Sequence, residues 1–143
     1  MGKKRIVTTE GEGKEESKAT QVSSISKKKA DIGMLFVQST YNNTKLVLTD
    51  MKGNVLCTSS SGAIGFKGAT KGTPFAAAKV GETIGGKAST MGMREVAVFI
   101  KGVGSGRESS LRGFISKGIN LISIKDSTPV PHNGPKPKKP RRV

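Results

Sequence analysis

Residues 126–143 carry prolines at 129, 131, 135, 137 and 140, and that spacing limits the fold more than any other feature of the chain. Proline fixes φ and has no N–H to donate, so this segment can form neither a helix nor a central strand. An extended strap close to polyproline II is expected, with its backbone polar groups facing outward. Such a strap buries almost nothing on itself, so the core must come from residues upstream of it. Five cations (Lys136, Lys138, Lys139, Arg141 and Arg142) and no acid follow Asp126. Cations on a stiff backbone suit a phosphate track, because a pre-ordered segment loses little entropy on binding.

The chain carries 25 Lys and Arg against 10 Asp and Glu, a net charge of +15. Residues 1–31 hold eight cations and five acids (+3), residues 32–126 twelve and five (+7), and residues 127–143 five and none (+5). A body that is itself this basic repels itself unless a polyanion compensates, and nucleic acid is the first polyanion to consider. No stretch approaches the roughly 20 apolar residues of a membrane span. One cysteine, Cys57, and one histidine, His132, leave no disulfide framework and no metal site of ordinary composition. No secretory signal is evident at the N-terminus, and Glu10, Glu12, Glu15 and Glu16 argue against a transit peptide; a cytoplasmic protein is expected. The Asn42-Asn43-Thr44 sequon is then without meaning.

Three regions follow: residues 1–31 as a disordered arm, 32–126 as a folded body and 127–143 as the strap. The arm sets Lys3–Arg5 and Lys27–Lys29 around a Glu- and Ser-rich middle without apolar periodicity. The body opens with Ile32–Ser39, a short apolar run bounded by turn signals, which predicts a strand. Tyr41–Asn43 reads as a tight turn, Thr44–Thr49 as the return strand, Asp50–Gly53 as a second turn and Asn54–Ser59 as a third strand. Ser59–Gly72, with four glycines, Lys67 and Lys71, predicts a long loop. A loop of that length is functional or mobile, and both readings stay open at this point.

Thr73-Pro74 starts a helix, with Thr as N-cap and Pro at the first helical position. Ala76, Val80, Ile84, Ala88 and Met91 form its apolar stripe, and Gly92 ends it. Gly81, Gly85 and Gly86 inside it predict close packing against the sheet. The run Gly81–Ala88 nearly matches a nucleotide-binding phosphate loop, but Ala88 stands where a magnesium-holding hydroxyl is needed and no strand leads into it. Arg94–Lys101 predicts a fourth strand, buried on both faces given its Val-Ala-Val-Phe-Ile run. Gly102–Arg107 then opens a second helix carrying Leu111, Phe114 and Ile115, and Asn120–Lys125 predicts a fifth strand. A glycine turn entering a helix N-terminus suits an anion, with Arg107 and Arg112 adding charge; a plain tight turn explains it equally well. The order β-β-β-α-β-α-β predicts an α/β fold: a mixed five-stranded sheet with helices packed on it.

Two other function classes fare poorly. A nuclease needs clustered carboxylates, and Asp50, Glu82, Glu95, Glu108 and Asp126 are scattered. A sheet-surface RNA reader needs strand aromatics for base stacking, and Phe36 and Phe99 read as core.

The motifs Tyr41–Thr44, Gly65–Gly68, Thr73–Ala77, Lys101–Ser109 and Asp126–Gly134, with the Pro-Arg-Arg-Val ending, occur in order across residues 32–143. Together they resemble the small-subunit ribosomal protein eleven family, of bacterial or organellar type. Pro135, where bacterial members often have Cys, and the long acidic arm depart from the pattern. The resemblance implies a three-layer α/β body on the platform of the small subunit. It implies a structural, non-enzymatic role in assembly and translation without cofactor, metal or small-molecule substrate. Small-subunit rRNA near its 3′ end, the messenger exit path, platform ribosomal proteins six and eighteen, and ribosomal protein seven are the partners it implies. The rRNA contacts it implies are Asn42 and Asn43 in the hairpin, Lys67 and Lys71 in the glycine loop, Lys101, Arg107 and Arg112 around the second glycine turn, and His132, Asn133, Lys136, Lys138, Lys139, Arg141 and Arg142 in the strap. Asn133-Gly134 also has no side chain shielding the amide that follows, so succinimide formation and isoaspartate are expected there.

Overall fold

The computed structural model describes residues 31–140. Of the arm expected over residues 1–31, residues 1–30 lie outside the described residues, as do the strap cations Arg141 and Arg142. The elements are β1 (Ile32–Ser39), β2 (Thr44–Asp50), β3 (Val55–Ser60), α1 (Ser61–Ile64), a 3-10 turn (Gly68–Gly72), α2 (Pro74–Thr90), β4 (Glu95–Lys101), α3 (Gly106–Ile115) and β5 (Asn120–Asp126). Most of the expected loop at 59–72 is thus ordered into two short helical turns. The strands form one mixed sheet in the order β3-β2-β1-β4-β5. β1 runs antiparallel to β2, with Leu35 opposite Leu48, and parallel to β4, with Leu35 beside Val98. The turn between β2 and β3 is built by Asp50. Its carboxylate accepts from the Asn54 side chain at 2.9 Å and from the amides of Lys52 and Asn54 at 2.8 and 3.0 Å, while Gly53 takes φ +88°. The Asn54 bond, seconded by these amides, holds the Asp50 carboxyl below the usual carboxylate range.

The expected mixed five-stranded α/β sheet is present, but the third layer is not found among the described residues. The path β3-α2-β4 and the path β4-α3-β5 step across the sheet in the same direction. Right-handed connections therefore place both long helices on one face. Leu35, Val37, Leu46, Leu48, Val96, Val98 and Ile100 alternate onto that face and are buried beneath Val80, Ile84 and Ala88 of α2 and Leu111 and Phe114 of α3. Fully burying each large side chain contributes about 1.5–3 kcal/mol. β4 is accordingly buried on one face only: Ala97 and Phe99 are half-buried on the other. The outermost strands leave apolar side chains in solvent, with Val55 on β3 at 59% exposure and Ile122 and Ile124 on β5 at 55% and 58%.

The glycines of α2 serve the second helix, not the sheet. A Cβ on Gly81 would stand 2.1 Å from the Ser110 carbonyl oxygen and one on Gly85 2.9 Å from that of Phe114; on the facing helix, a Cβ on Gly113 would stand 2.3 Å from the Ala78 oxygen. Backbone meets backbone where α2 and α3 cross. Gly86 faces open space, and nothing in the structure explains it.

Two substitutions separate these roles. Gly81→Ala must push α3 away and is expected to cost about 3 kcal/mol, as overpacking against rigid atoms does, lowering Tm by on the order of 10 °C. Gly86→Ala is expected to add about 0.5–1 kcal/mol through helix propensity. Thermal unfolding of both variants checks the pair.

Candidate nucleic-acid interface

The parallel strands β1 and β4 end at the same edge of the molecule as the N-termini of α2 and α3. There the β1–β2 hairpin turn is closed by Thr40, whose hydroxyl donates to the Asn43 carbonyl and accepts from the Asn43 amide, both at 3.1 Å. Three glycines on two backbone segments lean on this turn without room for a side chain. A Cβ would meet the Tyr41 oxygen at 2.1 Å from Gly72, the Ser39 oxygen at 2.0 Å from Gly102 and the Thr40 oxygen at 2.2 Å from Gly104. The Gly104 amide donates to the Ser39 carbonyl (3.0 Å) and the Ser105 hydroxyl to the Gly72 carbonyl (2.9 Å). The Gly102 amide donates to the Thr128 hydroxyl at 3.2 Å. Of the two readings of the Gly102–Arg107 turn, tight packing accounts for these glycines; the amides of Gly102 and Gly104 are already bonded within the protein.

What the packed turns present outward is polar and cationic. Tyr41 is 78% exposed, and Asn42 beside it is exposed, as are Lys67 ahead of the 3-10 turn and Lys101 at the end of β4. Lys71 is half-buried, with its stem lying along Gly62 of α1. Asn43 is half-buried and turned inward, its side-chain oxygen buried without a partner among the described residues, so Asn42 is the hairpin amide open to a binding partner. Beside the 3-10 turn, Phe75 is 65% exposed, meets Phe66 edge-on at 6.0 Å between centroids and carries the Lys79 ammonium 5.8 Å from its ring centre. Sequence reasoning missed this aromatic–cationic cluster because Phe66 and Phe75 lie in segments read as a loop and a helix start.

Two of the expected contact residues are tied up. Arg107 donates to the Gly102 carbonyl, to the Asp126 carboxylate and, at 3.4 Å, to the Thr128 hydroxyl. Asp126 in turn accepts from the Thr128 hydroxyl at 2.6 Å and the Thr128 amide at 2.9 Å, and the Ser127 amide donates to the Ile100 carbonyl at 2.8 Å. Arg107 thus fixes the root of the strap. Arg112 sits in the last turn of α3, not at its N-terminus, and pairs with Glu108 on the solvent face. Beyond Thr128 the strap is exposed to residue 140, with His132, Asn133, Lys136, Lys138 and Lys139 all in solvent and Asn133 at φ +56°.

Among the described residues no group of three or more His, Cys, Asp and Glu is placed to hold a metal ion. No helix of the described residues is long and apolar enough to cross a membrane. Cys57 is buried, and desolvation pushes its thiol up and away from reactivity. These features define a class, a basic α/β protein built around a cationic end. Residues 33–142 match the family described as Ribosomal protein S11. The chain is also 50% identical, over 117 residues, to the small ribosomal subunit protein uS11 of two strains of Treponema pallidum, one of them strain Nichols, covering 82% of this chain and 93% of each relative. The chain belongs to the ribosomal protein S11 family, in its bacterial type. It is a structural protein of the small subunit of the cytoplasmic ribosome and not an enzyme.

Asp126→Asn is expected to free Arg107 and loosen the strap root, read as lost amide protection at Ser127 and Thr128 by hydrogen exchange. The Thr128 hydroxyl first, then Arg107 and the Thr128 amide, hold the Asp126 carboxyl well below the usual carboxylate range. A depressed carboxylate contributes its full share above the unfolded value near 3.9 and loses it only as pH falls through the lower folded value. The wild-type root is therefore expected to stay closed at pH 4, and NMR of the Ser127 amide checks this. Ageing of the protein at neutral pH is expected to convert Asn133 to isoaspartate, read by peptide mapping.

Proposed function

We propose that this chain clamps small-subunit rRNA on the platform of the subunit, near the rRNA 3′ end and the messenger exit path, with ribosomal proteins six, eighteen and seven as neighbours. One observation carries the reading: glycine-mediated packing gathers Asn42, Lys67, Lys71 and Lys101 at the edge from which the cationic strap departs. In this reading those four residues, with His132, Asn133, Lys136, Lys138, Lys139, Arg141 and Arg142, contact the RNA directly. Asn43 shapes the hairpin and Arg107 aims the strap. Arg112 adds surface charge beside Glu108. Contacts of this kind read backbone and shape, so affinity falls steeply with salt.

The double variant Lys67→Glu, Lys71→Glu is expected to bind in-vitro-transcribed small-subunit rRNA more weakly and to flatten the log-affinity against log-salt slope by roughly 1.4–1.8, at 0.7–0.9 per phosphate, with Tm unchanged. An unaltered slope refutes the site. Removing residues 132–143 is expected to leave cooperative unfolding intact, because residues 129–140 are exposed, while lowering incorporation into reconstituted subunits.

A further inference from the structure

The sheet face opposite the helices carries its own surface. Phe36 on β1 and Phe99 on β4 are direct neighbours in the parallel register, and their rings stack at 5.2 Å between centroids and 16° between planes. Both are half-buried, with no helix of the described residues above them. Phe36, Phe99 and Val47 border a depression of about 170 Å³, whose polar rim is Gln38, Lys45 and Lys101. The two lysines are exposed, and neither enters an ion pair among the described residues.

We infer that this open face is a stacking shelf for an unpaired RNA base, with Lys45 and Lys101 holding the flanking phosphates and Gln38 reaching the base edge. The inference rests on the RNA-binding reading and adds a second, chemically different contact to it. Aromatic rings on a sheet surface take bases because every base has a π-face, and the two phenylalanines are already ordered against each other. The charge on the rim selects the occupant. Both charged groups bordering the depression are cations, so an apolar protein segment would cover the rings and leave the lysines unanswered. A nucleotide meets ring and lysine together. Lys101 also belongs to the cationic edge, so one strand of RNA can pass from the hairpin onto this face.

The test uses the full chain and two fluorescein-labelled RNAs of ten nucleotides, one single-stranded and one duplex. Phe36→Leu with Phe99→Leu keeps the face apolar and removes the π-systems. The expected result is a loss of roughly tenfold or more in single-strand affinity, less than twofold in duplex affinity, an unchanged Tm, and recovery with tyrosine at both positions. Equal affinity of the leucine variant and the wild type for the single strand overturns the shelf. So does a photoreactive phenylalanine analogue at position 99 that captures a polypeptide instead of rRNA in assembled subunits. Wild-type protein that binds neither RNA nor small-subunit rRNA overturns the RNA-binding reading as a whole, whereas wild-type binding that survives the leucine changes removes the shelf alone.

Discussion

The handedness of two connections governs this molecule. Because β3 to β4 and β4 to β5 progress across the sheet in one direction, right-handed crossovers must stack α2 and α3 side by side on the same face. From that single constraint come a one-sided core, an opposite face that no described helix covers and an edge where strand ends and helix starts converge. The cationic surface needs that convergence. Lys67 and Lys71 arrive just before α2, Lys101 at the end of β4, and the strap at the end of β5. They are distant in sequence, and the topology alone makes them neighbours.

Convergence leaves little room, and glycine supplies it. At the hairpin turn Gly72, Gly102 and Gly104 let two chain segments approach carbonyl oxygens more closely than any side chain would allow. The same device joins α2 to α3 at Gly81 and Gly113. What looked like a phosphate-cradling composition therefore shapes the protein, and the charge comes from lysines placed around the closed turns. Arg107 shows the same division of labour, since its guanidinium organises the Gly102 carbonyl, Asp126 and Thr128 into one joint.

The order and type of the five strands and two long helices were legible because each apolar run is short and fenced by Asn, Asp or Gly, while the helical turns at 61–64 and 68–72 were not. The Thr73-Pro74 start was legible too, and Thr73 accepts from the Ala76 amide as an N-cap does. The side of the sheet on which a residue lands was not. Phe99 sits in a run of five apolar residues whose two faces look alike in sequence, and only the position of the helices distinguishes them. Nor could local reading pair Arg107 with Asp126, nineteen residues away, or tell that Gly81 faces a helix. Lys67 and the strap lysines were readable as exposed charge because no acid lies near them in sequence, whereas the half-burial of Lys71 was not.

The outer strands have a consequence of their own. Among the described residues β3 and β5 are the two margins of the sheet, each unpaired on its outer side and each with apolar side chains in solvent, Val55 on one side and Ile122 and Ile124 on the other. Bare margins of this kind template pairing with a second chain. A surplus of positive charge keeps free copies apart, and dissolved salt screens that repulsion over about 10 Å at 0.1 M. A newly made copy is therefore colloidally metastable: the condition that loosens its hold on a polyanion is the one that lets it clump.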